Sequence, residues 1–289
     1  MPPRAPALRP RGWAFSPLGF LRRVFLGGYE DNIPFLASGL TFDALLWILP
    51  LLAVVLSGFG YAVGGADEPR ALARVITAWV LPDAGGGSTP FATVAAALEE
   101  LADSRTQLTL WGVPFFVWFS WRLFGSIRAA LNDVFDTEET RAWWVGKAVD
   151  LSLGVLSAVL ILTNTVITLV VLRAPWAGRF LAGLLAYVAV TVLFYVVYMF
   201  APSRPMRWDT ALVAALFASL GFEIAKRLYG IYLIQFATVD RLLSNTNALA
   251  LLLFVLWIYA TALLFLAGGE LAETYDLARR QREQRAVLG

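Results

Sequence analysis

The residues best placed to do chemistry are charges lodged in apolar stretches. Glu223, Lys226 and Arg227 stand at i, i+3 and i+4, so a helix puts them on one face within a hydrophobic run. An ionisable group at the centre of a bilayer costs roughly 2.5–3.5 kcal/mol on insertion scales and needs a partner or water. One carboxylate between two cations leaves a surplus positive charge, which calls for an anion. Asp43, Glu270 and a phosphate-bearing ligand are the candidates. Arginine would grip a phosphate with its planar fork and lysine as a point charge. The alternative is a purely structural ion-pair network.

A second cluster comprises Arg122, Arg128, Asn132 and Asp133. Arg128 and Asn132 share a helical face. Arg128 is expected to snorkel to the headgroups and fix topology. Arg122 lies nearer the apolar stretch 113–121 and is the better candidate for guiding a charged ligand.

Absent chemistry narrows the field. The chain has no cysteine and no histidine. That removes thiolate sites, the commonest metal ligand and the commonest neutral-pH base. No phosphate-cradling glycine loop, metalloprotease motif or nucleophile elbow occurs. Neither a cofactor nor a metal site is expected, and nothing favours an enzyme. A formal net charge of +2 argues against a nucleic-acid partner.

These charges must be positioned by membrane-spanning helices. Of 289 residues, 59% are hydrophobic and 15% charged, and mean hydropathy is +0.68. A soluble domain has roughly 45–50% and 25%. The expected fold is therefore an all-α polytopic membrane protein. Six segments reach the roughly 20 apolar residues that a crossing requires: 33–63, 108–134, 148–172, 180–200, 210–236 and 248–271. Pro50 is expected to kink or break the first.

Residues 33–271 thus form one transmembrane domain, flanked by a basic N-terminal tail (1–32) and a charged C-terminal tail (272–289). No secretory signal is visible in the N-terminal tail, and 17–26 reads as a short interfacial helix. The connection 64–107 carries two amphipathic helix patterns, 68–81 and 91–104, on the outer side. Arginine and lysine number fifteen on the side of the termini and six on the other. That asymmetry places both termini in the cytoplasm. Small residues at Ala211, Ala215 and Ser219, at Ala214 and Ala218, and at Gly154 and Ala158 predict close helix approach.

Four fragments occur in order along these spans: Leu36-Ala37-Ser38-Gly39-Leu40-Thr41-Phe42 with Leu49-Pro50-Leu51-Leu52; the run 121–132 from Trp121 to Asn132; Ala201-Pro202-Ser203-Arg204 before Trp208, with Glu223, Lys226, Tyr229 and Tyr232; and Leu256-Trp257-Ile258-Tyr259 before Gly268-Gly269-Glu270-Leu271-Ala272. Together they resemble the YihY/BrkB family, formerly called ribonuclease BN-like, over roughly residues 31–275. Asp43 stands where that resemblance leads one to expect an uncharged residue.

The resemblance implies a six-helix bacterial inner-membrane protein linked to envelope integrity and lipid export. The expected function is a transporter or translocase of a lipid or anionic amphiphile. Arg122, Glu223, Lys226, Arg227, Asp43, Asn132, Tyr229 and Glu270 are the candidate contacts, and membrane lipids with anionic headgroups the partners. A non-transporting envelope scaffold is the alternative, and a lipid-modifying enzyme pairing Asp43 with Glu270 the third. A nuclease is disfavoured, since the cytosolic loops are short and histidine is missing.

Overall fold

The computed structural model describes residues 17–63, 105–137, 141–172, 178–204, 206–236 and 246–288, some of them by backbone alone. The amphipathic helices expected at 68–81 and 91–104 lie outside these residues, as do the side chains of the polar run at 164–168. All regular structure among the described residues is helical: α1 (Pro17–Glu30), α2 (Ile33–Val63), α3 (Arg105–Val134), α4 (Trp143–Leu172), α5 (Gly178–Phe200), α6 (Trp208–Phe236) and α7 (Thr246–Leu288).

Helices α2 to α7 pack in chain order, and α7 closes back on α2, so the six form a ring. Four carry windows long and apolar enough to cross a membrane: Ile33–Val55, Trp143–Thr163, Gly183–Phe200 and Leu252–Arg280. Helices α3 and α6 are of similar length but carry the charged clusters, which lowers their hydropathy. The outer surface is apolar all round. Phe35, Leu49, Trp118, Leu228 and Leu252 are all more than 60% exposed there, a surface suited to lipid tails and not to water. Trp143, Trp144 and Trp208 are exposed at helix starts, as an aromatic belt requires.

Three features sharpen the sequence reading. Helix α2 continues through Pro50, so of the two expected outcomes the break does not occur; a bundle can re-satisfy the one hydrogen bond a proline removes. The N-terminal tail contributes α1, which extends to Glu30 and packs on α7. The C-terminal tail is helix: α7 has 43 residues, about 64 Å at 1.5 Å per residue, twice the roughly 30 Å of hydrocarbon. Its last turns therefore project beyond the bundle, where arginines and carboxylates replace the apolar pattern.

Local chemistry ends the helices. Asn32 (φ 52°) closes α1 and Asp136 (φ 46°) closes α3, both left-handed, a conformation that Asn and Asp tolerate. After α3 the Thr137 amide donates to the Asn132 carbonyl (2.9 Å) and the Asp136 amide to that of Asp133 (3.2 Å), a Schellman cap.

The small residues act as expected. Ala211, Ala214, Ala215, Ala218 and Ser219 are fully buried. A Cβ at Gly154 would collide with Ser120, so glycine lets α4 lie against α3. Tyr198, also fully buried, stacks on Phe265 at 4.6 Å and donates to its carbonyl, tying α5 to α7.

Candidate functional site

A cavity of ≈ 260 Å³ occupies the centre of the ring, and every one of the six helices contributes to its wall. Leu40, Trp47, Phe124, Phe194, Trp257 and Phe265 are among the lining side chains. The chamber is apolar. Beside it, Trp47 donates from its indole N–H to the Ser120 hydroxyl (2.8 Å), joining α2 to α3.

Neither Asp43 nor Arg122 lines this chamber, although each is next in sequence to a residue that does, Ala44 and Leu123. The Arg122 Nε donates to Asp43 Oδ1 (2.5 Å), and the Ser126 hydroxyl donates to Oδ2 (2.5 Å). Asp43 is nearly sealed (8% exposed), whereas half of the Arg122 side chain is open (50%). Its guanidinium also lies over the Phe42 ring at 5.6 Å. Asp43 therefore serves Arg122 and is not the counter-anion of the α6 charges. The reason is proximity: α2 packs on α3, so Asp43 meets the nearest cation there.

One turn and a half further on, Arg128 donates from Nη1 to Asp150 (2.8 Å), whose side chain is fully buried. Snorkelling to the headgroups is thus not what Arg128 does. Asp150, which the sequence reading did not single out, draws it inward; the signal was an acidic residue four positions before Gly154, in line with the Gly-Ala face of α4. Arg141, in the α3–α4 connection, donates to the carbonyls of Phe200 (3.0 Å) and Pro202 (2.5 Å). Burial, and then the charge of Arg128, hold its guanidinium below the ordinary arginine value. Asn132 grips the same turn, donating to the Ser203 hydroxyl and accepting from its amide, both at 2.8 Å. It positions the α5–α6 connection and does not face the chamber wall.

The α6 charges pair with each other. Lys226 lies 2.6 Å and Arg227 3.6 Å from the Glu223 carboxylate. Glu223 and Lys226 are half-buried, but the Arg227 side chain is 77% exposed. Arg227 stands nineteen residues beyond Trp208, roughly 28 Å along the axis. Helix α6 continues nine residues past Arg227 to Phe236, so the trio sits in the interior of the helix. Lys226 Nζ lies 5.9 Å from the Phe222 ring, which itself lines the chamber. Tyr229 is buried beside Trp257, ring centroids 6.0 Å apart, and its hydroxyl has no partner among the described residues.

Glu270 joins neither group. It is fully buried, and its two oxygens lack a hydrogen-bond donor among the described residues. Its neighbours are Asp31 and Glu273, one ligand oxygen of each lying within 4.8 Å of the others. Gly27 of α1 makes the room, since a Cβ there would overlap the Glu270 carboxylate. Carboxylates this close are compatible with a shared proton or a hard cation. Asp43 and Glu270 therefore belong to separate clusters, and the pairing considered for a lipid-modifying enzyme is not formed.

Comparison with known proteins adds the following. The family model described as Virulence factor BrkB matches residues 25–287. A UPF0761 membrane protein of Ralstonia nicotianae is 27% identical over 96% of this chain and 64% of its own length. A second, of Nitrosospira multiformis, is 24% identical over 90% of this chain and 61% of its own length. A third, of Idiomarina loihiensis, is 27% identical over 92% of this chain and 93% of its own. The chain thus spans under two thirds of the first two relatives. No solved structure matches.

Proposed function

The chain belongs to the BrkB virulence factor family of membrane proteins, and from that premise we propose that it is a bacterial inner-membrane transporter that translocates a lipid or another anionic amphiphile. In this reading α2 to α7 are six spans with both termini in the cytoplasm. The excess of arginine and lysine on the side of the termini supports that orientation. Helices α3 and α6 read as less apolar because they carry the groups a charged substrate needs.

The observation that carries the reading is the ring itself. Six helices close around an apolar chamber of ≈ 260 Å³, and a half-open arginine anchored to a sealed aspartate joins α2 to α3 of the same ring. Apolar volume suits chains, and a fixed guanidinium with unspent donors suits a phosphate or carboxylate headgroup. Lys226 and Arg227 would meet the same headgroup on α6. Leaving an enzyme out, ribonuclease included, is supported by the separation of the two buried carboxylates, Asp43 and Glu270.

The test is transbilayer movement of a chain-labelled anionic phospholipid in proteoliposomes of the purified protein. Movement above protein-free vesicles is expected, falling at least tenfold in Asp43→Asn/Arg122→Gln. A folded, inserted protein that moves no lipid would overturn the reading. The self-pairing of Glu223 with Lys226 and Arg227 favours a second reading, a non-transporting scaffold. In that case Lys226→Ala/Arg227→Ala would complement a deletion strain fully.

A further inference from the structure

Outside the ring, on its lipid-facing surface, a recess of ≈ 690 Å³ opens between α3 and α4. Four indoles line it (Trp118, Trp121, Trp143 and Trp144), together with Arg122 and Lys147. Trp143 and Trp144 meet edge to face, centroids 4.2 Å apart, and are 62% and 77% exposed. An aromatic belt accounts for those two rings. It does not account for the donors gathered among them.

Three donors in the recess are unspent. Arg122 uses only Nε on Asp43, and half of its side chain is open. Lys147 makes no ion pair among the described residues, the nearby Asp150 being taken by Arg128. The Trp121 indole N–H is buried and has no acceptor among the described residues. A buried donor without an acceptor costs about 1–3 kcal/mol, and a ligand oxygen would remove that cost. The charge balance agrees: Asp43 offsets one of the two cations, which leaves the recess positive.

We propose that this recess binds one anionic phospholipid from the surrounding leaflet. The phosphodiester is held between the Arg122 fork, the Lys147 ammonium and the Trp121 N–H, while the acyl chains descend along Trp118 and Leu151. An anionic headgroup is selected over a zwitterionic one because no carboxylate among the described residues lining the recess remains to receive a choline. Binding stands on these contacts alone. Calling the recess the loading site for the chamber rests on the transport reading above.

Native mass spectrometry of the full chain, titrated with phosphatidylglycerol or phosphatidylcholine of matched chains, tests the proposal. One phosphatidylglycerol is expected to be retained about tenfold more tightly than phosphatidylcholine, as two charge-assisted contacts imply. Lys147→Gln should abolish that preference. Trp121→Phe keeps the ring, drops the N–H and should weaken retention severalfold. Neither variant touches the buried Asp43, so both are expected to fold, and a melting curve equal to the parent's checks this.

Equal retention of the two lipids would overturn the proposal, as would a preference untouched by both substitutions. Glycerol phosphate competing as well as the intact lipid would overturn the commitment to a lipid. The two readings fail separately. A retained phosphatidylglycerol without transbilayer movement sinks transport alone, and movement that persists in Lys147→Gln with no retained lipid sinks the recess alone.

Discussion

The charges of α3 and those of α6 solve the same problem in opposite ways. On α3, Arg122 and Arg128 reach across to Asp43 of α2 and Asp150 of α4, carboxylates that are 8% and 0% exposed. On α6, Glu223 finds Lys226 and Arg227 on its own helix, and Arg227 is mostly exposed. The first arrangement requires three helices to be assembled. The second requires only that α6 be helical. Inter-helix pairs therefore bind assembly to charge neutralisation, so that any movement of α3 against α2 or α4 must break or remake a buried contact. The α6 set neutralises itself and leaves its neighbours free.

The sharpest way to break this comparison is to remove a cation from α3. Arg128→Met strands the fully buried Asp150 and is expected to cost roughly 3–5 kcal/mol. Thermal unfolding in detergent would read this as a large drop in midpoint. Arg128→Met/Asp150→Leu should recover most of the loss, because the penalty lies in the uncompensated carboxylate. A mild effect of the single change would mean that Asp150 is wetted and that the two regions do not differ in kind. Arg122→Gln comes next, at about 1–3 kcal/mol. It is milder because the Ser126 hydroxyl still donates to Asp43 and a glutamine amide can replace part of the lost contact.

Much of this was legible in the sequence, and the reasons are specific. Helix length and apolarity set α2 to α6 within about five residues, and the start of α7, but not its end at Leu288, where charged residues continue a helix that the apolar pattern had already left. The Glu223 set was legible as a pair network because i, i+3 and i+4 contacts are local. The partners of Asp43, Arg128 and Glu270 were not, because each depends on which helices adjoin. A ring closing α7 on α2, with α1 laid across α7, leaves no trace in local spacing. Asp150 went unnoticed for the same reason: alone on an apolar helix it looks like an end charge, and only the α3–α4 contact shows it sealed.

Glu270 extends the comparison to a third case, a buried carboxylate clustered with other carboxylates, with the charge of Arg23, itself paired to Glu30, only a lesser influence. If nothing positive resides there, Glu270→Gln removes like-charge repulsion and should raise stability by about 1 kcal/mol. Unfolding midpoints at neutral pH with excess chelator measure this. A loss of stability under those conditions would show that Glu270 holds a proton which the neighbouring Asp31 and Glu273 need.

The smallest expected effect belongs to α6. Glu223→Gln leaves Lys226 and Arg227 without their carboxylate, yet both ammonium and guanidinium are on long, flexible stems. Arg227 is already 77% exposed and can turn to the headgroup layer. Exposed i, i+4 pairs contribute about 0.3–0.5 kcal/mol, so the midpoint should move by less than in any α3 variant. The informative readout is the ratio between that shift and the shift of Arg128→Met under the same detergent. A ratio near one would mean that the trio is as deeply enclosed as Asp150. A small ratio, with lipid movement nonetheless impaired, would separate a charge kept for a ligand from a charge kept for the fold.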